Sequence, residues 1–223
     1  MTFSPASADR SSDGDLPLSP DFRALIASDR VNARLRRALA ERALPVEPPE
    51  GPTALDRVEL ATLRAVVARV VPQPPGAADL AVRIASRLAS GEGDGWRFAI
   101  LPADDEAYRR ALRTLDAVAR HRHARPLSEL PGPEIDALLQ ALEARALPTD
   151  GAELDADGMV RWFEDLRASA VQAYMALPST LDRIGFSGIG AGGDGGALRG
   201  FTHFGIGREE DWEPRAHATE VAS

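Results

Sequence analysis

The chain has 223 residues, a formal net charge of -8, no cysteine, and arginine as its only basic residue besides four histidines. An acidic chain repels phosphate backbones and makes a poor general nucleic-acid binder. The missing thiols exclude disulfides, thiolate metal sites, cysteine-ligated iron–sulfur clusters and cysteine nucleophiles.

Hydrophobic residues make up 44%, charged residues 27% and aromatics only 5%, which favours packed helices in a soluble globular chain. No apolar run approaches the roughly 20 residues that span a bilayer. The sequence divides into a polar N-terminus over 1–18, expected to be disordered, a helical domain over 19–180, and a glycine-rich arm and tail over 181–223.

DFRALIASDRVNARLRRALAERAL reads as one helical segment between Pro20 and Pro45, with Phe22, Leu25, Ile26, Leu35 and Leu39 as its apolar stripe. Arg34, Arg36 and Arg37 form a cluster whose favoured reading is a solvated helix face, the alternative being contact with an acidic partner. PVEPPEGP is a proline-rich linker. Thr53 begins the next helix with Asp56 as a variant capping box, and Leu63, Val66, Val67 and Val70 share one face. ADLAVRIASRLASG is a short helix closed by Gly91. Trp96, Phe98, Ile100 and Leu101 pin the following loop to the core. Asp104 or Asp105 caps a helix that turns Tyr108, Leu112, Leu115 and Val118 or Ala119 inward. A turn and a further helix from about Pro133 follow.

GMVRWFEDLRASAVQAYMALP is the last helix, capped by Asp157 and ended by Pro178. Phe163, Leu166, Ala170, Tyr174 and Leu177 fall on one face. Beyond it, STLDRIGFSGIGAGGDGGALRGFTHFGIGREEDW has too much glycine for a regular helix. It is also too rich in large apolar residues for a flexible linker. The fold class expected is therefore all-α: one domain of about six helices with an irregular C-terminal arm.

Three stretches carry a family resemblance. WFEDLRASAVQAYM with its glycine-rich, aromatic-spaced sequel, RVVPQPPGAAD, and RPLSELPGPEIDALLQALE together resemble the gluconate 2-dehydrogenase subunit 3 family over roughly 58–205. The resemblance implies a non-catalytic small subunit with no cofactor of its own. Its implied partner is an FAD-dependent dehydrogenase large subunit of the GMC type, acting on a sugar, polyol or gluconate. Small subunits of this family often carry a twin-arginine signal that takes the catalytic subunit across the membrane. MTFSPASADRSSDGDLP has neither an arginine pair nor an apolar stretch. The expected location is therefore the cytoplasm, with the periplasm as the alternative if a signal-bearing partner exports the complex.

Four groups of residues carry candidate chemistry. Phe186, Phe201, Phe204 and Trp212 in the arm are anchors of the type that dominates interfaces, and are expected to meet the partner. Glu153, Asp155, Asp157 and Glu164 stand at the spacing of a calcium loop, with glutamate in place of the usual first aspartate. The favoured reading is an acidic helix start, which suits the positive end of the helix dipole. Gly188, Gly190 and Gly193 satisfy G-x-G-x-x-G, but without the strand before and helix after that a dinucleotide site needs. His121 and His123 belong to a basic helix end. His203, between Phe201 and Phe204, is the one histidine in an apolar sequence setting, and is a candidate general base or, by preference, a structural histidine. The alternatives to a subunit are thus a free-standing interaction or calcium-binding module, and an enzyme using His203.

Overall fold

The computed structural model describes residues 16–91, 98–148, 152–194 and 199–214. Among these, the chain forms eight α-helices and no β-strand: α1 (Pro20–Ala27), α2 (Ala33–Ala43), α3 (Arg57–Val70), α4 (Leu80–Ser90), α5 (Asp104–His123), α6 (Gly132–Glu143), α7 (Ala156–Met175) and α8 (Pro178–Arg183). Single 3-10 turns lie at Leu127–Glu129 and Ser187–Gly190. None of the described helices is long and apolar enough to cross a membrane.

The all-α expectation holds, and the helix count rises from six to eight for two local reasons. The first segment breaks in the middle. Ser28 Oγ turns back onto the Leu25 carbonyl at 2.7 Å and accepts from Arg30 N, while Asn32 caps α2 by accepting from Leu35 N at 2.8 Å. Both residues compete with helix by bonding the backbone locally. The second addition is α8. Pro178, expected only to end α7, also stands at the first position of α8, where its missing N–H leaves no intrahelical bond unmade. Residues 179–183, expected to be irregular, are therefore helical.

Three caps also differ from expectation. Asp56, not Thr53, opens α3: its carboxylate accepts from Glu59 N while Asp56 N donates to Glu59 Oε2, both at 2.8 Å. Thr53 instead donates its hydroxyl to the Ala89 carbonyl. No side chain caps α5, whose N-cap is Ala103; Asp104, Asp105 and Glu106 lie in its first turn and meet the helix dipole there. Asp155, not Asp157, caps α7, accepting from Gly158 N at 2.7 Å.

The main core is built around α7, which touches α3, α4, α5, α6 and α8. Trp162, Phe163, Leu166, Ala170 and Leu177 are buried there, and Tyr174 packs against them partly exposed. Full burial of each large side chain contributes about 1.5–3 kcal/mol. Tyr108 of α5 meets Trp162 edge-on at 5.8 Å and donates its hydroxyl to Asp165 at 3.0 Å. Burial pushes its phenol well above the ordinary range. The inward faces read for α3 and α5 are buried, apart from a half-buried Val70. In the loop before α5, Leu101 is buried and Phe98 packs on the core, but Ile100 is exposed, and Trp96 lies outside the described residues.

Candidate functional site: the arm and its fastening

The helices leave a second, smaller core outside the first. Phe22, Leu25, Val31, Leu39, Leu181 and Ile189 form it, with Trp212 packed against its side. It joins the two ends of the described chain, since α1 and α2 supply one half and α8 and the arm the other. Ser19 caps α1 and also gives both its N–H and its hydroxyl to the buried Asp182 of α8, at 2.5 and 2.7 Å.

The arm's glycines explain themselves at this seam. A Cβ at Gly190 would stand 2.5 Å from the Trp212 ring and 2.9 Å from Leu25, and one at Gly193 would stand 2.5 Å from the Asp29 carbonyl. Close approach of backbone to side chain, not phosphate binding, is what these positions serve. The G-x-G-x-x-G match thus lies in a turn after a helix, packed on α1.

Charged groups complete the fastening. The Arg30 guanidinium lies 4.0 Å over the Trp212 ring, which in turn packs on Phe201 at 5.2 Å. Asp194 accepts from Ala33 N at 2.7 Å, at the start of α2, and lies 3.5 Å from Arg36; Arg199 pairs with Asp29 at 2.5 Å. Arg36, read as part of a solvated face, therefore also serves the arm.

Further on, Glu210 closes a tight loop. It accepts from the N–H groups of Thr202 and His203, the latter at 2.8 Å, and from the Thr202 hydroxyl at 2.9 Å. The His203 and Thr202 N–H groups hold its carboxyl down to about 2, against an ordinary 4.5. His203 Nδ1 lies 2.9 Å from the Glu209 carbonyl, and that bond, followed by the charge of Glu210, raises its pKa. The signs are opposite. The depressed Glu210 contributes fully above pH 4.5 and is lost as pH falls towards 2. The raised His203 contributes fully below its ordinary 6.5 and fades as pH rises past it. Protection of the Thr202 and His203 amides, taken as the exchange rate relative to an unstructured amide at the same pH, is therefore expected to be greatest between those limits and to fall by about pH 3. Unchanged protection at that pH would show that Glu210 does not hold the loop.

The expected site residues part company here. Half-buried Trp212 packs on the chain's own second core and half-buried Phe201 packs on Trp212, whereas Phe186 and Phe204 are exposed, Phe204 to 83%. Exposed Ile184 and Ile206, large apolar residues of this stretch outside the expected anchors, lie beside them in the chain. His203 is exposed, and its neighbours are carboxylates rather than apolar groups. The acidic set does not converge. α7 begins at Ala156, so most of the twelve-residue calcium-loop spacing is helix. Asp155 serves as its cap, Asp157 pairs with Arg145 at 2.7 Å, and Glu164 with Arg161 at 2.8 Å. Glu153 lies 3.9 Å from Arg113. No group of three His, Asp or Glu side chains among the described residues is placed to hold a metal. His121 is exposed, and His123 pairs with Glu134 at 3.2 Å.

The family model of gluconate 2-dehydrogenase subunit 3 matches residues 57–193. The chain belongs to this family. The match opens at the first residue of α3 and closes at Gly193, short of the 205 expected from the motifs. The subunit 3 region thus comprises the main core, α8 and the 3-10 turn of the arm. The helices α1 and α2 and residues 199–214, which fasten one another, flank it on both sides. No curated protein and no solved structure matches the chain. Membership makes it a component of a gluconate dehydrogenase-type complex.

Proposed function

We propose that the chain is the non-catalytic small subunit of an FAD-dependent GMC-type dehydrogenase acting on a sugar, polyol or gluconate. The large subunit carries FAD and performs the oxidation. This chain binds and stabilises it and assists its maturation. The observation that carries this reading is the arm's outward face. Phe204 and Ile206 stand in solvent while Glu210, Trp212 and Arg30 hold the segment around them in place. Exposed apolar groups on a fastened segment suit docking, because little ordering entropy remains to be lost on association. Phe186 and Ile184 extend the apolar surface at the root of the arm.

The test is the double variant Phe204→Asp, Ile206→Asp. Both sites are exposed, so the melting temperature is expected to hold, surface changes being worth about 0.5 kcal/mol or less. Affinity for the co-expressed large subunit is expected to fall by about tenfold or more, as for loss of hot-spot residues. Full affinity in the double variant would place docking elsewhere. Fractionating the same cells settles the compartment. Cytoplasmic recovery of the complex accords with the expected location, and periplasmic recovery only with the partner overturns it.

A further inference from the structure

A second surface lies between α4 and α7, and is built from two matching stripes. Arg83, Ser86, Arg87 and Ser90 recur on α4 at i, i+3, i+4 and i+7, and Ser169, Gln172, Ala173 and Ala176 recur at the same spacing along α7 and its C-cap. That spacing puts each quartet on one helix face. Because serine and alanine predominate, the facing helices leave a groove of about 630 Å³ instead of a closed seam. Half-buried Val46 and Ala173 give it an apolar lining above the buried Ile84 and Leu177, and Arg42 at the end of α2 contributes a third guanidinium.

Its charge is opposite to that of the chain. Three arginines line it and, among the described lining residues, no carboxylate, in a protein of net charge -8. Arg87 is held in position by neutral partners, donating to Gln172 Oε1 at 2.5 Å and Ser169 Oγ at 2.6 Å. Those bonds fix the guanidinium without cancelling its charge, and leave others of its five N–H donors for a ligand.

We propose that this groove docks an extended acidic segment of a partner polypeptide, with carboxylates on Arg42 and Arg87 and an apolar side chain against Val46 and Ala173. Each stripe rises about 10.5 Å over seven residues, which matches three to four residues of extended chain better than one small anion. Alternating carboxylate and apolar side chains suit a groove with charged walls and an apolar lining.

The experiment uses the full chain alone and a fluorescein-labelled peptide of about eight residues in which glutamate alternates with leucine. Fluorescence anisotropy is expected to show saturable binding that weakens as salt rises. Arg42→Glu is expected to weaken it by about tenfold or more. Ser86→Trp, which fills the groove without changing its charge, is expected to abolish it. Both sites lie outside the buried core, and a thermal melt verifies that each variant is folded. Absence of saturable binding overturns the proposal, as does equal binding of the peptide with glutamine for glutamate. Displacement by inorganic phosphate at the peptide's own concentration overturns it too, by making the groove a small-anion site. The large subunit takes no part, so this proposal and the subunit reading fail independently.

Discussion

Leu166→Asp is expected to leave the chain without a folded state. Leu166 is fully buried on the face of α7 around which α3, α4, α5 and α6 pack. Losing the leucine forfeits about 1.5–3 kcal/mol of burial. An unpaired carboxylate in its place costs several kcal/mol more, or must take up a proton to avoid that. The sum rivals the whole stability of a domain, about 5–15 kcal/mol. Soluble yield and the far-ultraviolet circular dichroism melt report it. Leu166→Ala, at about 2–5 kcal/mol, is expected to fold and melt earlier. A Leu166→Asp chain with the parent melting temperature would show that this face is not core.

The second large effect is local. Phe22 is fully buried at the centre of the smaller core, and Phe22→Ala is expected to weaken that core by about 3–5 kcal/mol. The α3–α7 core shares none of those residues, so its melt is expected to persist. The arm is expected to open instead. Limited proteolysis within 187–214 is expected to accelerate, and the Trp212 emission to shift to the red as its ring leaves Leu25 and Arg30. Parent-like protease resistance would show that the arm holds itself without α1.

The contrast between these two cores explains what was legible in the sequence. Periodicity marks an apolar face, and α3, α5 and α7 each bury the face read from their own residues, apart from half-buried Val70 and Tyr174. Periodicity does not say what a face meets. The pairing of α1 with α8 and the arm joins residues about 160 positions apart, such as Ser19 and Asp182, and no local pattern records it. The break between α1 and α2 did leave a signal, in Ser28 and Asn32. The stripe running on to Leu35 and Leu39 concealed it. At the start of α7, three acidic residues compete for one cap. Asp155 takes it, while Arg145, contributed from beyond α6, claims Asp157. The candidate calcium ligands were dispersed by the same helix start. Exposed Ile206 lies outside the expected anchors because those are all aromatic, and the arginine groove stands in no recognised motif, although the i, i+3, i+4, i+7 run of Arg83, Ser86, Arg87 and Ser90 was there to be read.

Co-expression of the tagged full chain with an FAD-dependent dehydrogenase large subunit of the GMC type tests the subunit role most directly. The predicted result is capture of a flavin-containing complex that oxidises a sugar or sugar acid, together with a lower yield of the soluble dehydrogenase when this chain is left out. Capture of no flavoprotein, with dehydrogenase yield and activity the same in the presence and absence of the chain, would contradict it.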